Sequence, residues 1–255
     1  MDLGLAGRRA LVGAGASGIG NGIAAALAGE GARVALIGRT AERVRAEARR
    51  LGGVPVVADL STPDGPSGAV AAAVAGMGGL DLLVACTGGP PSGTFESLDE
   101  AAWETAINGT LHSVLRLIRA GLPHLRAGVD PSILIVVSSS VREPIPGLIA
   151  SNVLRPGLAG LIKTLTAEIA PVRINGLAPG RIATDRVAYL DGVRAKAAGV
   201  TPDEIARRSQ ATIPLGRYGE IAEIGRVGAF LLSPASSFVT GAIVPVDGGM
   251  VRSLP

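Results

Sequence analysis

The stretch Arg9-Ala-Leu-Val-Gly-Ala-Gly-Ala-Ser-Gly-Ile-Gly20 decides the fold. Its first four residues are apolar and β-prone after Arg9, and the helix-like run 18–29 follows directly. Between them Gly13, Gly15 and Gly18 fit G-x-G-x-x-G in the strand–turn–helix context that gives this pattern its meaning. Glycines are required there because the backbone turns sharply and a pyrophosphate must approach the main chain. The helix then directs unpaired N–H groups at the anion. A tight βα turn without a ligand is the plainer alternative.

Moving outward, near-continuous apolar runs recur at 9–13, 33–38, 54–58, 80–85, 133–138, 172–177 and 242–246. Such runs mark strands covered on both faces. Helix-like segments at 18–29, 40–51, 64–75, 101–127, 151–170 and 220–232 separate them. The alternation implies an α/β fold: a Rossmann-type, doubly wound parallel sheet of seven strands with helices on both faces. No linker or composition break divides the chain, so residues 1–255 are expected to form one dinucleotide-binding domain. The segment 184–211 is an extra pair of helices before the last αβ unit, and is expected to serve as a substrate lid.

Composition narrows the function classes. Of 255 residues, 47% are hydrophobic and 18% charged, which excludes disorder. Aromatic residues make up only 2%, so the core must be aliphatic. Net charge is +3, and the arginines are scattered without interleaved aromatics, which argues against nucleic acid. One cysteine, Cys86, and two histidines, His112 and His124, leave no metal-ligand cluster or disulfide framework. No run of ~18 strongly apolar residues suggests a membrane span, and the N-terminal residues do not read as a signal peptide. A cytoplasmic location is therefore expected.

About 20 residues beyond the glycine turn, the end of the second strand selects between two cofactors. An acid there would accept from a ribose 2′-hydroxyl. This chain has Gly38-Arg39, with Arg43 one turn into the next helix. A guanidinium suits a 2′-phosphate, so NADP(H) is favoured and NAD(H) is the alternative. Asp59, with Leu60, ends the third strand where an adenine would lie.

These spaced signals together resemble the short-chain dehydrogenase/reductase family over nearly the whole chain. Its T-G-x-x-x-G-I-G turn is matched by Gly18, Ile19 and Gly20, with Gly13-Ala14 in place of Thr-Gly and Ser17 inside the turn. Ala85-Cys86-Thr87-Gly88-Gly89 stands at its N-N-A-G-like turn, and Asn108 at its helix-four asparagine. Pro179-Gly180-Arg181-Ile182-Ala183-Thr184 resembles its nicotinamide-amide loop, and Val246-Asp247-Gly248-Gly249 its C-terminal turn. The resemblance implies a carbonyl or alcohol substrate, and a homodimer or homotetramer built on the two long helices.

The family's reaction uses a tyrosine hydroxyl, a lysine that lowers its pKa and holds the ribose, a serine on the carbonyl and an asparagine on a water relay. In Ser138-Ser139-Ser140, spacing points to Ser138 and the strand pattern to Ser139. The Tyr-x-x-x-Lys position is the departure, because alignment places Ser151 and Arg155 there. Their i, i+4 spacing keeps both on one helix face. A serine hydroxyl is a far weaker acid than a phenol of pKa about 10. Arginine stays protonated but can still bind ribose hydroxyls. Of 24 basic residues only Lys163 and Lys196 are lysines, so composition helps explain Arg155 but not the loss of the tyrosine. Tyr189, Glu143 beside Arg142, and water through Asn108 are the other proton sources. Arg142–Glu143 also reads as a surface ion pair, Tyr218 as structural, and Arg181 and Arg186 as anion ligands or lid solvation. The expected activity is NADP(H)-dependent carbonyl reduction or alcohol oxidation with an atypical active site. A non-redox isomerase, cyclase or dehydratase on the same scaffold is the alternative, and a catalytically inactive cofactor-binding protein is another.

Overall fold

The computed structural model describes residues 2–253. Seven short apolar segments form one sheet: β1 (Arg9–Val12), β2 (Arg33–Gly38), β3 (Val54–Val57), β4 (Leu82–Ala85), β5 (Ser132–Val136), β6 (Arg173–Pro179) and β7 (Ile243–Val246). Their order across the sheet is β3-β2-β1-β4-β5-β6-β7, and every neighbouring pair is parallel. The order reverses between β1 and β4, which opens a crevice at the carboxyl ends of the strands. This is the expected doubly wound Rossmann-type arrangement.

Helices cover both faces. On one lie α3 (Gly65–Met77), α5 (Ser113–Arg126) and α6 (Ile149–Glu168), with Val70, Leu117, Leu158 and Ile162 packed on Leu83 and Ile133. On the other lie α1 (Gly18–Gly29), α2 (Ala41–Arg50) and α9 (Ile221–Leu232), where Ile23, Leu27 and Ile224 meet Leu36 and Val84. The largest fully buried side chains are all Leu and Ile, each contributing about 1.5–3 kcal/mol. Helices α1 and α9 approach closely because both contact points are glycine. A Cβ on Gly22 would lie 2.4 Å from Ile221, and one on Gly225 would lie 2.4 Å from the Gly22 carbonyl.

Two local readings change. The expected helix 101–127 is three pieces: α4 (Glu100–Ala106), a wider π turn at Ile107–His112, and α5. In that turn the Ser113 amide reaches back five residues to the Asn108 carbonyl, and the Ser113 hydroxyl donates to the Gly109 carbonyl. A flexible glycine and a competing hydroxyl locally loosen the i→i+4 ladder. The strand expected at 133–138 ends at Val136, and Ser138 instead caps a short 3₁₀ turn at Ser139–Val141. The segment 184–211 is α7 (Asp185–Ala198) and α8 (Pro202–Ala211), capped by Thr184 and Thr201.

Candidate active site

The crevice is a cleft of about 1050 Å³ beginning at the β1–α1 turn. Gly13 and Gly15 do not line it but make the turn feasible, since a Cβ on Gly13 would meet the Cys86 carbonyl at 2.4 Å. Gly20 is equally tight, at 2.5 Å from the Ala14 and Gly13 carbonyls. Ala14 sits at φ 47, left-handed backbone that disfavours a Cβ by about 1–2 kcal/mol. Ser17 caps α1 through its backbone alone, making no side-chain bond to the first-turn amides. Ser17, Gly18, Ile19 and Gly20 face the cleft.

Opposite this cradle, the loop after β6 brings Pro179, Gly180, Ile182 and Thr184 to the same cleft. Thr184 Oγ1 accepts from the Val187 amide, turning the chain into α7. Thr87 and Gly88 follow β4 at the floor. A side lobe of about 400 Å³ shares Ala14, Ser17, Arg43, Thr87 and Gly88, and adds Arg39, Asp59 and Leu60. Arg39 is exposed and makes no ion pair among the described residues, whereas Arg43 pairs with Asp185 at 3.2 Å. The Ser61 amide and hydroxyl, both donating to Asp59, hold its carboxyl below the usual range, with help from Arg39.

The serines and α6 meet at the centre. Ser138 lines the cleft, and its oxygen accepts from the Ser140 amide. Ser139 lines it too but is buried. Ser140 points inward, and its hydroxyl lies 3.1 Å from that of Ser151. One turn along α6, Arg155 is only 6% exposed and donates to the Val136 carbonyl. It has no carboxylate partner among the described residues, and its Nε has no partner of any kind. Burial pushes the guanidinium below its ordinary pKa, with Cys86 opposing and Arg186 adding to the effect. Burial also pushes the Cys86 thiol up to about 11, so it stays neutral and weakly nucleophilic.

Several sequence expectations are redistributed. Asn108 does not line the cleft, and its side-chain oxygen lies 3.0 Å from His112 Nδ1. Arg142 and Glu143 form no ion pair. Glu143 instead accepts at 2.9 Å from the Arg252 and Ser253 amides, bringing Met250 and Val251 to the cleft wall. Tyr189 is 58% exposed beneath the Arg186 guanidinium. Tyr218 is tethered, as a structural role requires: its hydroxyl donates to Asp191 at 2.8 Å under Arg181, which pairs with the same carboxylate. Sequence reading missed Ser140, Asp191 and Arg194. Nothing local in the sequence marked them, since α7 carries no pronounced apolar face and Ser140 sits in a run of three serines.

Thr87 and Arg155 both line the cleft, and their buried Oγ1 and Nε lack hydrogen-bond partners among the described residues. These residues fit a dinucleotide: Ser17–Gly20 would hold its diphosphate, and Thr87 and Arg155 would meet its polar groups.

Comparison with known proteins agrees. A family profile described as Enoyl-(Acyl carrier protein) reductase matches residues 13–251. The chain is 31% identical to Dehydrogenase/reductase SDR family member 4 of Homo sapiens, covering 96% of this chain and 88% of that protein. The structure of L-sorbose reductase from Gluconobacter frateurii, complexed with NADPH and L-sorbose, superposes with a TM-score of 0.93 at 28% identity, with full coverage of both chains. An NADPH-bound short chain oxidoreductase from Pseudomonas aeruginosa PAO1, described as containing an atypical catalytic center, gives 0.87 at 29% identity, covering 98% of this chain and all of that one. With the parallel sheet and glycine cradle in place, the chain belongs to the short-chain dehydrogenase/reductase family and is a short-chain oxidoreductase.

Proposed function

We propose that the protein is an NADP(H)-dependent carbonyl reductase whose active site works without a tyrosine acid. The observation that carries this reading is Arg155: a residue lining the cleft one helical turn from Ser151, with a buried guanidinium whose Nε has no hydrogen-bond partner among the described residues. An uncompensated buried charge is expensive to maintain. Ribose hydroxyls of a dinucleotide would give it acceptors. Arg39, exposed at the end of β2 with no acid in its place, supports a 2′-phosphate and hence NADP(H). Two comparison structures were solved with NADPH.

The reduced nicotinamide supplies a hydride equivalent to the carbonyl carbon, and the oxygen must gain a proton. Ser138 is best placed to hold that oxygen. Its own oxygen already accepts from the Ser140 amide, which leaves its O–H free to donate. Such a preorganised donor stabilises developing negative charge. Ser139 is the second candidate. The Ser140–Ser151 hydroxyl pair, 3.1 Å apart, would relay a proton from water to that oxygen and leave hydroxide to solvent, since neither serine ionises readily. Asn108 is not part of this relay, because its carboxamide is paired to His112. Reduction therefore outpaces oxidation, which needs a base to ionise the alcohol.

The test follows loss of reduced-nicotinamide absorbance with NADPH and NADH against a panel of ketones and aldehydes. Turnover with NADPH preferred supports the reading. Conversion of substrate without net cofactor oxidation overturns it in favour of a non-redox reaction. Cofactor binding without turnover of any carbonyl overturns it in favour of a binding protein.

A further inference from the structure

The cleft is lined by five arginines and five carboxylates, but they do not pair one to one. Of its acids, Asp185 pairs with Arg43, Glu47 with Arg50, and Asp191 with Arg181. Glu143 accepts the C-terminal amides, and Asp203 lies exposed at the rim on α8. Two further arginines of α7 face the cleft, Arg186 and Arg194. Arg186 donates to the Pro90 carbonyl at 2.6 Å and lies over the Tyr189 ring, so its partners are neutral. Arg194 makes no ion pair or hydrogen bond among the described residues. Burial pushes its guanidinium below the ordinary value, as does Arg181, with Asp191 and Tyr218 opposing. Asp191 already serves Arg181 and the Tyr218 hydroxyl, and makes no ion pair with Arg194.

The cleft that Arg194 lines also has apolar walls, among them Ile145, Leu148, Val187, Leu190, Met250 and Val251. An unpaired, half-buried guanidinium in such a cleft is screened less than one in bulk water and attracts an anion. Its planar fork suits a carboxylate or phosphate bidentately. Arg194 lies ten residues along α7 from Thr184, roughly 15 Å of helix axis from the loop that borders the cofactor cradle. The long arginine side chain spans part of that gap, and the rest must be spanned by the ligand.

We infer that the substrate is an amphipathic carbonyl compound bearing a carboxylate or phosphate several carbons from the reacting carbonyl, and that Arg194 anchors this anion. The inference rests on the carbonyl-reductase reading of the cleft and adds the substrate's charge and shape.

The test measures binding, so that it stands apart from turnover. Calorimetric titrations of the NADPH-saturated protein use 7-oxooctanoate, its neutral methyl ester, and 6-oxoheptyl phosphate. The acid or the phosphate is expected to bind at least ~10-fold more tightly than the ester, and the stronger of the two names the anion. Arg194→Met should erase the preference while leaving ester affinity within about 2-fold, and Arg194→Lys should restore part of it. Unaltered circular dichroism checks that the variants fold. Equal affinity for acid, phosphate and ester, no binding of any of them, or a preference that survives Arg194→Met overturns the inference. Preferential anion binding without reduction leaves the anchor standing and refutes the carbonyl-reductase reading instead.

Discussion

Replacing Arg155 by methionine should make the cofactor-free protein more stable and the cofactor weaker. Arg155 is 6% exposed, has no carboxylate partner among the described residues, and keeps one hydrogen bond, to the Val136 carbonyl. The effective penalty for burying such an ion is several kcal/mol, and one charge-assisted hydrogen bond returns about 1.5–3 kcal/mol. Methionine fills a similar volume with no charge to desolvate. The net gain is about 1–3 kcal/mol, and at 2–4 °C per kcal/mol for a chain of this size Tm rises by roughly 2–12 °C. Cofactor binding moves the other way. At 100 times Kd, NADPH stabilises the wild type by about 2.7 kcal/mol, and a variant bound 10-fold more weakly gains only about 1.4 kcal/mol at the same concentration. Scanning calorimetry with and without NADPH reads both quantities. A variant whose apo Tm falls, or whose NADPH-induced shift equals that of the wild type, would show that Arg155 is a structural ion and not a ligand of the dinucleotide.

Three further outcomes are expected. Arg39→Ala should weaken NADPH by roughly 10-fold, or about 1–2 kcal/mol given the exposure of Arg39, and leave NADH unchanged; equal losses by fluorescence titration would remove Arg39 from the 2′-phosphate. Ser151→Tyr with Arg155→Lys should raise kcat for ketone reduction and the oxidation rate most at alkaline pH, where the phenolate is populated; a flat pH profile would mean the phenol does not reach the reacting oxygen. Asp81→Asn should cost about 3–5 kcal/mol at neutral pH by urea unfolding. Burial pushes the Asp81 carboxyl up, but the Arg9 guanidinium and the Val129 and Arg9 amides outweigh it and hold the pKa low. A lowered folded pKa means this stabilisation is complete above the ordinary carboxylate value of about 3.9 and fades as pH falls through the folded one. The gap between wild type and variant should therefore narrow in acid, and a gap that widens there contradicts the assignment.

Strand and helix positions were readable from the chain because each rests on local periodicity. The runs at 33–38 and 18–29 recur unchanged as β2 and α1, and the glycines at 13, 15 and 20 announced a turn that only they can make. That Ser17–Gly20, Thr87–Gly88 and Pro179–Thr184 share a cleft with Ser138, Ser139, Ser151 and Arg155 was legible for the same reason, since all lie at strand ends or on one helix face. The partners of the side chains there were not. Whether Ser138, Ser139 or Ser140 faces the cleft depends on where β5 stops, and its last residue, Val136, is set by pairing with Leu177 of a strand some forty residues away. Asn108 follows from a π turn that redirects its side chain to His112. Glu143 finds its partners 109 and 110 residues on, and Asp191 joins Arg181 and Tyr218 only once α7 folds over the loop after β6. Apart from the Asn108–His112 pair, which lies within one turn, those contacts join separate segments by packing and charge, and no local pattern in the residues encodes them.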